Sequence, residues 1–119
     1  MTLFIFPFNK ELDKNKDFDI LKYDGIRALH INKVDYAIRC FEKALEIKDD
    51  VETMEFLAHA YIAVNDHKAA IDILEKECAL EPSEIKPLLS LASVYYMEEE
   101  YAKMNDTCNR AIAIDDNDI

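Results

Sequence analysis

The sequence predicts an all-α chain wound as a solenoid of three antiparallel helix pairs, and three observations carry that expectation. The first is self-similarity: Leu57-Ala58-His59-Ala60-Tyr61 recurs 34 residues later as Leu91-Ala92-Ser93-Val94-Tyr95, and Gly25-Ile26-Arg27-Ala28 begins 33 residues before Ala58. A period near 34 residues marks a stacked helix-turn-helix array. The second is composition, because one glycine and three prolines in 119 residues leave little material for sheet corners while half the chain is apolar. The third is spacing: Ala37, Ile38, Phe41, Ala44 and Leu45 form a single helical stripe that Ala70, Ile71, Leu74 and Cys78 repeat.

Residues 1–17 are expected to precede the repeats as an apolar strap or tail. Pro7 favours an extended conformation for the residue before it, and Phe4, Phe6 and Phe8 would then share one face. Such a strand could lie against the first helix pair, or dock into a groove of its own chain or of a neighbour. It is too short to span a membrane and lacks the basic leading region and cleavage site of a signal peptide.

Residues 18–119 are expected to form the repeats, at about 18–50, 51–84 and 85–119. Their helices fall near 18–31, 34–48, 51–64, 67–80, 84–97 and 101–114. Asn32 and Asn65 suit the left-handed conformation that ends a helix, and Asp50, Asp66 and Ser83 are side chains able to cap the next one. Pro82 stops the fourth helix, and Pro87 is tolerable near the first turn of the fifth. The last helix, with Asn105, Asp106, Asn109 and Arg110, is more polar than its counterpart, as a terminal repeat facing water should be.

The units resemble tetratricopeptide repeats over about residues 18–116. The family's small residue in the first helix is matched by Gly25, Ala58 and Ala92, and its following aromatic by Tyr61 and Tyr95. The alanine opening the second helix is matched by Ala37 and Ala70, and the one near its end by Ala44 and Ala111. Met104 and Glu77 stand where the family has alanine, and Asp49 and Asp116 where it has proline. The resemblance implies a right-handed solenoid whose first helices line a concave surface that receives an extended peptide or a helix of a partner.

Projected at 3.6 residues per turn, the first helices turn Lys22, Tyr23, Ile26, His30, Glu55, Phe56, His59, Ile62, Lys86, Leu89, Ser90, Ser93, Tyr96 and Met97 toward that surface. Aromatic, Met and His side chains there suit a partly apolar segment. A subgroup of the family grips the terminal carboxylate of heat-shock chaperones with two Lys, two Asn and one Arg. The matching positions are Lys22, Ile26, Phe56, Lys86 and Ser90, so only the lysines remain and a chaperone tail is disfavoured as ligand.

Chemistry is sparse in the sequence. There is no phosphate-cradling glycine loop, no glycine-flanked serine and no His-Glu-x-x-His, so an enzyme is not expected. His30 and His59, with Glu55 a turn before His59, are the one set that suggests a metal. They lack a well-placed third ligand and a second shell, and no metal or cofactor is expected. Cys40, Cys78 and Cys108 show no Cys-x-x-Cys spacing and read as buried reduced thiols of a cytoplasmic protein.

The net charge of −11 is uneven: residues 1–50 hold nine Lys and Arg against ten Asp and Glu, residues 51–119 five against fifteen. That field repels phosphate backbones and anionic lipid, which excludes nucleic acid and membrane as expected partners and favours a basic one near the C-terminal end. The reading is therefore a protein-protein interaction module binding a peptide or helix in its groove. The alternatives are a structural scaffold that self-associates through the N-terminal segment or the array ends, and a metal-dependent enzyme around His30 and His59.

Overall fold

In the computed structural model the backbone is described from Thr2 to Asn117 and the side chains from Asp13 to Asp115. Six α-helices and no strands occupy the described residues: α1 (Thr2–His30), α2 (Val34–Ile47), α3 (Val51–Ala63), α4 (His67–Leu80), α5 (Lys86–Met97) and α6 (Tyr101–Asn117). Each packs chiefly on its sequence neighbours, α1 on α2, α2 on α3 and so on to α6, with α1 also touching α3. Contacts of that kind build a solenoid, in which each pair buries what its neighbour cannot bury alone.

The turns show why the array keeps step. Asn32, Asn65 and Glu99 have φ of 61°, 61° and 58°. The residue after each donates its N–H back to the carbonyl of Ala28, Tyr61 or Tyr95, at 2.8, 2.9 and 2.9 Å. This is one left-handed helix ending used three times. The asparagines were legible as such; Glu99, which has no side chain suited to that conformation, was not.

Packing follows the small residues. A Cβ on Gly25 would lie 2.5 Å from the Phe41 ring, and Phe41 itself is fully buried, so nothing larger than hydrogen fits there without displacement. Ala37, Ala44 and Ala70 are completely buried, as are Met54, Leu91 and Val94. Phe18 is the first buried side chain of α1 among the described residues and lies under Lys48, whose Nζ is 4.5 Å from the ring centroid. Cys40 and Cys78 are buried and all three cysteines are free thiols.

Two helix starts differ from expectation. The first helix begins at Thr2, not near residue 18, so its backbone is helical where an extended strand was expected. Residues 8–24 contain neither Gly nor Pro, so no local signal separates a leading segment from the helix. The pairing of Phe4, Phe6 and Phe8 on one strand face does not apply to a helix, and where those side chains lie is outside the described residues. The fifth helix begins at Lys86 with Ile85 as its cap, and Ser83 caps nothing. Pro87 has no N–H to give the Ser83 carbonyl, so the ladder starts later, with Leu89 donating to Ile85 at 3.0 Å. Asp50 and Asp66 do cap, accepting from the N–H of Thr53 (3.0 Å) and Ala69 (3.2 Å).

Candidate functional site: the groove along the first helices

The two lysines of the expected groove are struts between successive first helices. Lys22 on α1 is 9% exposed and places its Nζ 3.0 Å from Asp50 and 2.8 Å from Glu52, at the start of α3. Burial alone would lower its pKa, but the hydrogen bonds to Glu52 and Asp50 outweigh it and hold the ammonium above its usual range. Asp50 is held below the usual carboxylate range against the pull of burial, by hydrogen bonds from Thr53 and Lys22. Its carboxylate thus caps α3 and anchors α1 at once. Lys86 on α5 pairs more loosely with Glu55 of α3, at 3.5 Å, with its side chain largely exposed.

Between α3 and α5 the structure gathers five of the expected residues. Glu55, His59 and Ile62 from α3 meet Lys86 and Ser90 from α5 in a narrow crevice, with Ala58, Leu74, Glu77 and Pro87 completing its walls. The crevice opens beside a notch of about 210 Å³ that Glu55, Glu77 and Lys86 share with Glu81 and Glu84. Further along α5, Leu89, Tyr96 and Met97 stand exposed, and Tyr96 meets Tyr101 of α6 edge to face at 6.0 Å. Ser93 is exposed and returns its hydroxyl to the Leu89 carbonyl at 3.1 Å.

Other expected residues serve packing. Phe56 is half-buried and stacks on Phe41 with centroids 5.9 Å apart, and Ile26 packs into the same cluster. Ile62 joins the core of the second and third units. On α1, Tyr23 is exposed, with Lys22 Nζ 5.8 Å from its ring, and the His30 Nδ1 is engaged with the Ile26 carbonyl at 2.9 Å. His59 lines the crevice apart from that pair. Among the described residues no group of three His, Cys, Asp or Glu side chains is placed to hold a metal ion.

Two features escaped the sequence reading. Glu77 is 2% exposed, and its Oε1 has no hydrogen-bond partner among the described residues. Burial first, then the charge of Glu55, pushes its carboxyl up to about 7. The available signal was a charge on the buried stripe where Ala44 and Ala111 stand in the other units. The second feature is a broader concavity of about 570 Å³ on the turn side, where His67 of α4 meets Glu98 at 2.7 Å. It arises where consecutive turns stack and is separate from the groove residues.

Six helices stacked in antiparallel pairs, each packed on its sequence neighbours, place the chain in the helical-repeat class. The chain is a tetratricopeptide-repeat protein: the family model described as "Tetratricopeptide repeat" matches residues 51–84, the second unit. It is similar to the mitochondrial import receptor subunit TOM70 of Saccharomyces cerevisiae, with 33% identity over 81 residues. That match covers 68% of this chain and 13% of the relative, so the chain spans about an eighth of the length of the curated relatives it matches. Among solved structures, yeast Tom70 superposes with TM-score 0.73 at 30% identity, over 79% of this chain and 19% of that one. MamA does so with TM-score 0.77 at 27% identity, over 84% and 55%. A repeat domain of Spaghetti (RPAP3) shares the fold, with TM-score 0.71 at 19% identity over 86% and 82%. No helix among the described residues is long and apolar enough to cross a membrane.

Proposed function

We propose that this chain is a non-enzymatic, cytoplasmic adaptor that binds a partly apolar, partly basic segment of another protein across α3 and α5. The observation that supports this reading most is the juxtaposition on those two helices of a carboxylate-lined crevice with the exposed Leu89, Tyr96 and Met97. The apolar side chains offer contact area, and the fifteen carboxylates against five basic residues after position 50 attract positive charge. The relatives agree with a peptide-binding role, since the Spaghetti (RPAP3) domain is described as bound to the HSP90 peptide SRMEEVD.

That particular ligand is not expected here. Lys22 is already neutralised by Asp50 and Glu52, and Ile26 and Phe56 cannot donate the hydrogen bonds that amides supply. A peptide ending in Glu-Glu-Val-Asp should bind no better than its scrambled form in a fluorescence-anisotropy titration; a clear preference for the native tail would contradict the assignment.

The groove is tested by replacing Tyr96 with Ala and, separately, Glu99 with Ala, and measuring affinity for a partner purified from the native lysate. An exposed aromatic that becomes an anchor contributes about 2 kcal/mol, a roughly thirtyfold loss of affinity, whereas an exposed turn charge contributes far less. Equal loss from both folded variants would refute the groove. A second reading is end-to-end self-association, favoured by the exposed Tyr101 and Ile112 of α6, Tyr101 lying against the exposed Tyr96. It predicts a mass that rises with concentration in sedimentation equilibrium.

A further inference from the structure

The position near the end of each second helix is occupied by Ala44, Glu77 and Ala111, all buried. A methyl group satisfies the packing in the first and third units, so the second unit carries a carboxyl that packing does not require. Glu77 nonetheless faces a charged crevice: Glu55 and His59 from α3, Lys86 from α5, and Glu81 and Glu84 beside the α4–α5 connection. One of its oxygens is left without a hydrogen bond. A buried carboxyl in that state costs stability unless something completes it.

Glu55 shares a hydrogen bond with the Glu77 carboxyl only while one of the two is protonated, so the ionised pair is left incomplete. Lys86 leans toward Glu55 at 3.5 Å and keeps most of its side chain in water. Four glutamates against one lysine therefore line a notch of about 210 Å³, open to the groove and large enough for the head of a basic side chain. Two facing carboxyls, one from α3 and one from α4, match the parallel donors of a guanidinium better than the single point of an ammonium.

We infer that Glu77 and Glu55 form a receptor for one arginine side chain, supplied by the segment that lies across α3 and α5. This rests on the groove reading and adds a specificity determinant to it. The incoming guanidinium displaces Lys86 from Glu55 and supplies donors to the Glu77 carboxyl at the wall of the notch. It also makes binding depend on pH. With its carboxyl at about 7, Glu77 is partly protonated in neutral solution, and a cation binds only the ionised form. Affinity for arginine consequently rises as pH rises through 7.

Carboxyl carbon-13 NMR of the whole chain, titrated with N-acetyl-arginine-methylamide and with the uncharged citrulline analogue, tests this directly. The expected result is a saturable shift of the Glu77 and Glu55 signals with the arginine compound alone, about tenfold weaker at pH 6 than at pH 8. Glu77→Ala carries the residue found at the equivalent positions and should fold; in it the arginine response and its pH dependence should vanish. Equal responses to both compounds, or arginine binding unchanged in Glu77→Ala, would overturn the inference. A partner that binds across α3 and α5 while arginine leaves the Glu77 signal unmoved would overturn it too, and leave the groove reading intact.

Discussion

Replacing Glu77 with Gln should stabilise the protein, and only above a definite pH. Glutamine keeps the volume and shape of the side chain while removing the charge, so it imitates the protonated form that burial favours. The carboxyl rises from its ordinary 4.5 to about 7 in the folded chain. At 1.36 kcal/mol per pH unit that corresponds to about 3 kcal/mol of destabilisation once the pH exceeds 7. Because the folded pKa is the higher one, the folded state holds the proton more tightly, and the penalty is absent below 4.5, grows between 4.5 and 7, and is constant above. Wild type and Glu77→Gln should accordingly melt together near pH 4.5 and separate by about 10 °C at pH 8, at roughly 4 °C per kcal/mol for a chain of this size. The general repulsion of an acidic chain affects both proteins and cancels in the difference. Thermal melts followed by circular dichroism at several pH values read it out. A difference that is constant across the range, or that opens on the acid side, would refute the account of Glu77.

Two further outcomes follow from named contacts. Asp50→Ala removes the cap of α3 and the partner of Lys22 together, and should cost about 1–2 kcal/mol in urea unfolding at pH 7; the cost should shrink as pH falls through the carboxylate range, since the depressed pKa of Asp50 makes its contribution present above 3.8 and lost below. Glu99→Asn places a residue tolerant of left-handed backbone at φ 58° and should raise the melting temperature by a few degrees, equivalent to about 0.5–1 kcal/mol, without altering partner affinity.

Much of this molecule was legible because helical repeats write their packing into residue size. Gly25 is required by the face of Phe41, and Ala37, Ala44 and Ala70 by the close approach of neighbouring helices, so their spacing revealed the pairs before any coordinates. Asn32 and Asn65 announced two turns through their tolerance of positive φ. Helical projection gave each first helix an expected inward side, and five of the residues on it, Glu55, His59, Ile62, Lys86 and Ser90, share one crevice.

What projection could not supply is the partner of each side chain. Lys22 is spent on Asp50 and Glu52 and Phe56 on Phe41, contacts that depend on how helices lean together and not on the period within one helix. The start of α1 was misplaced because the extended conformation that Pro7 favours for the residue before it was given too much weight, while residues 8–24 carry no Gly or Pro to separate a leading segment from the helix. Glu77 was visible only as an exception to its own repeat.

Amide hydrogen exchange on the complex with a purified partner tests the central claim most directly, because it reports where the partner lies without presupposing its chemistry. The groove account predicts added protection in α3 and α5, centred on residues 55–62 and 86–97, with α2, α4 and the outer face of α6 unchanged. Protection confined to α2 and α4, or to α6 alone, would contradict it.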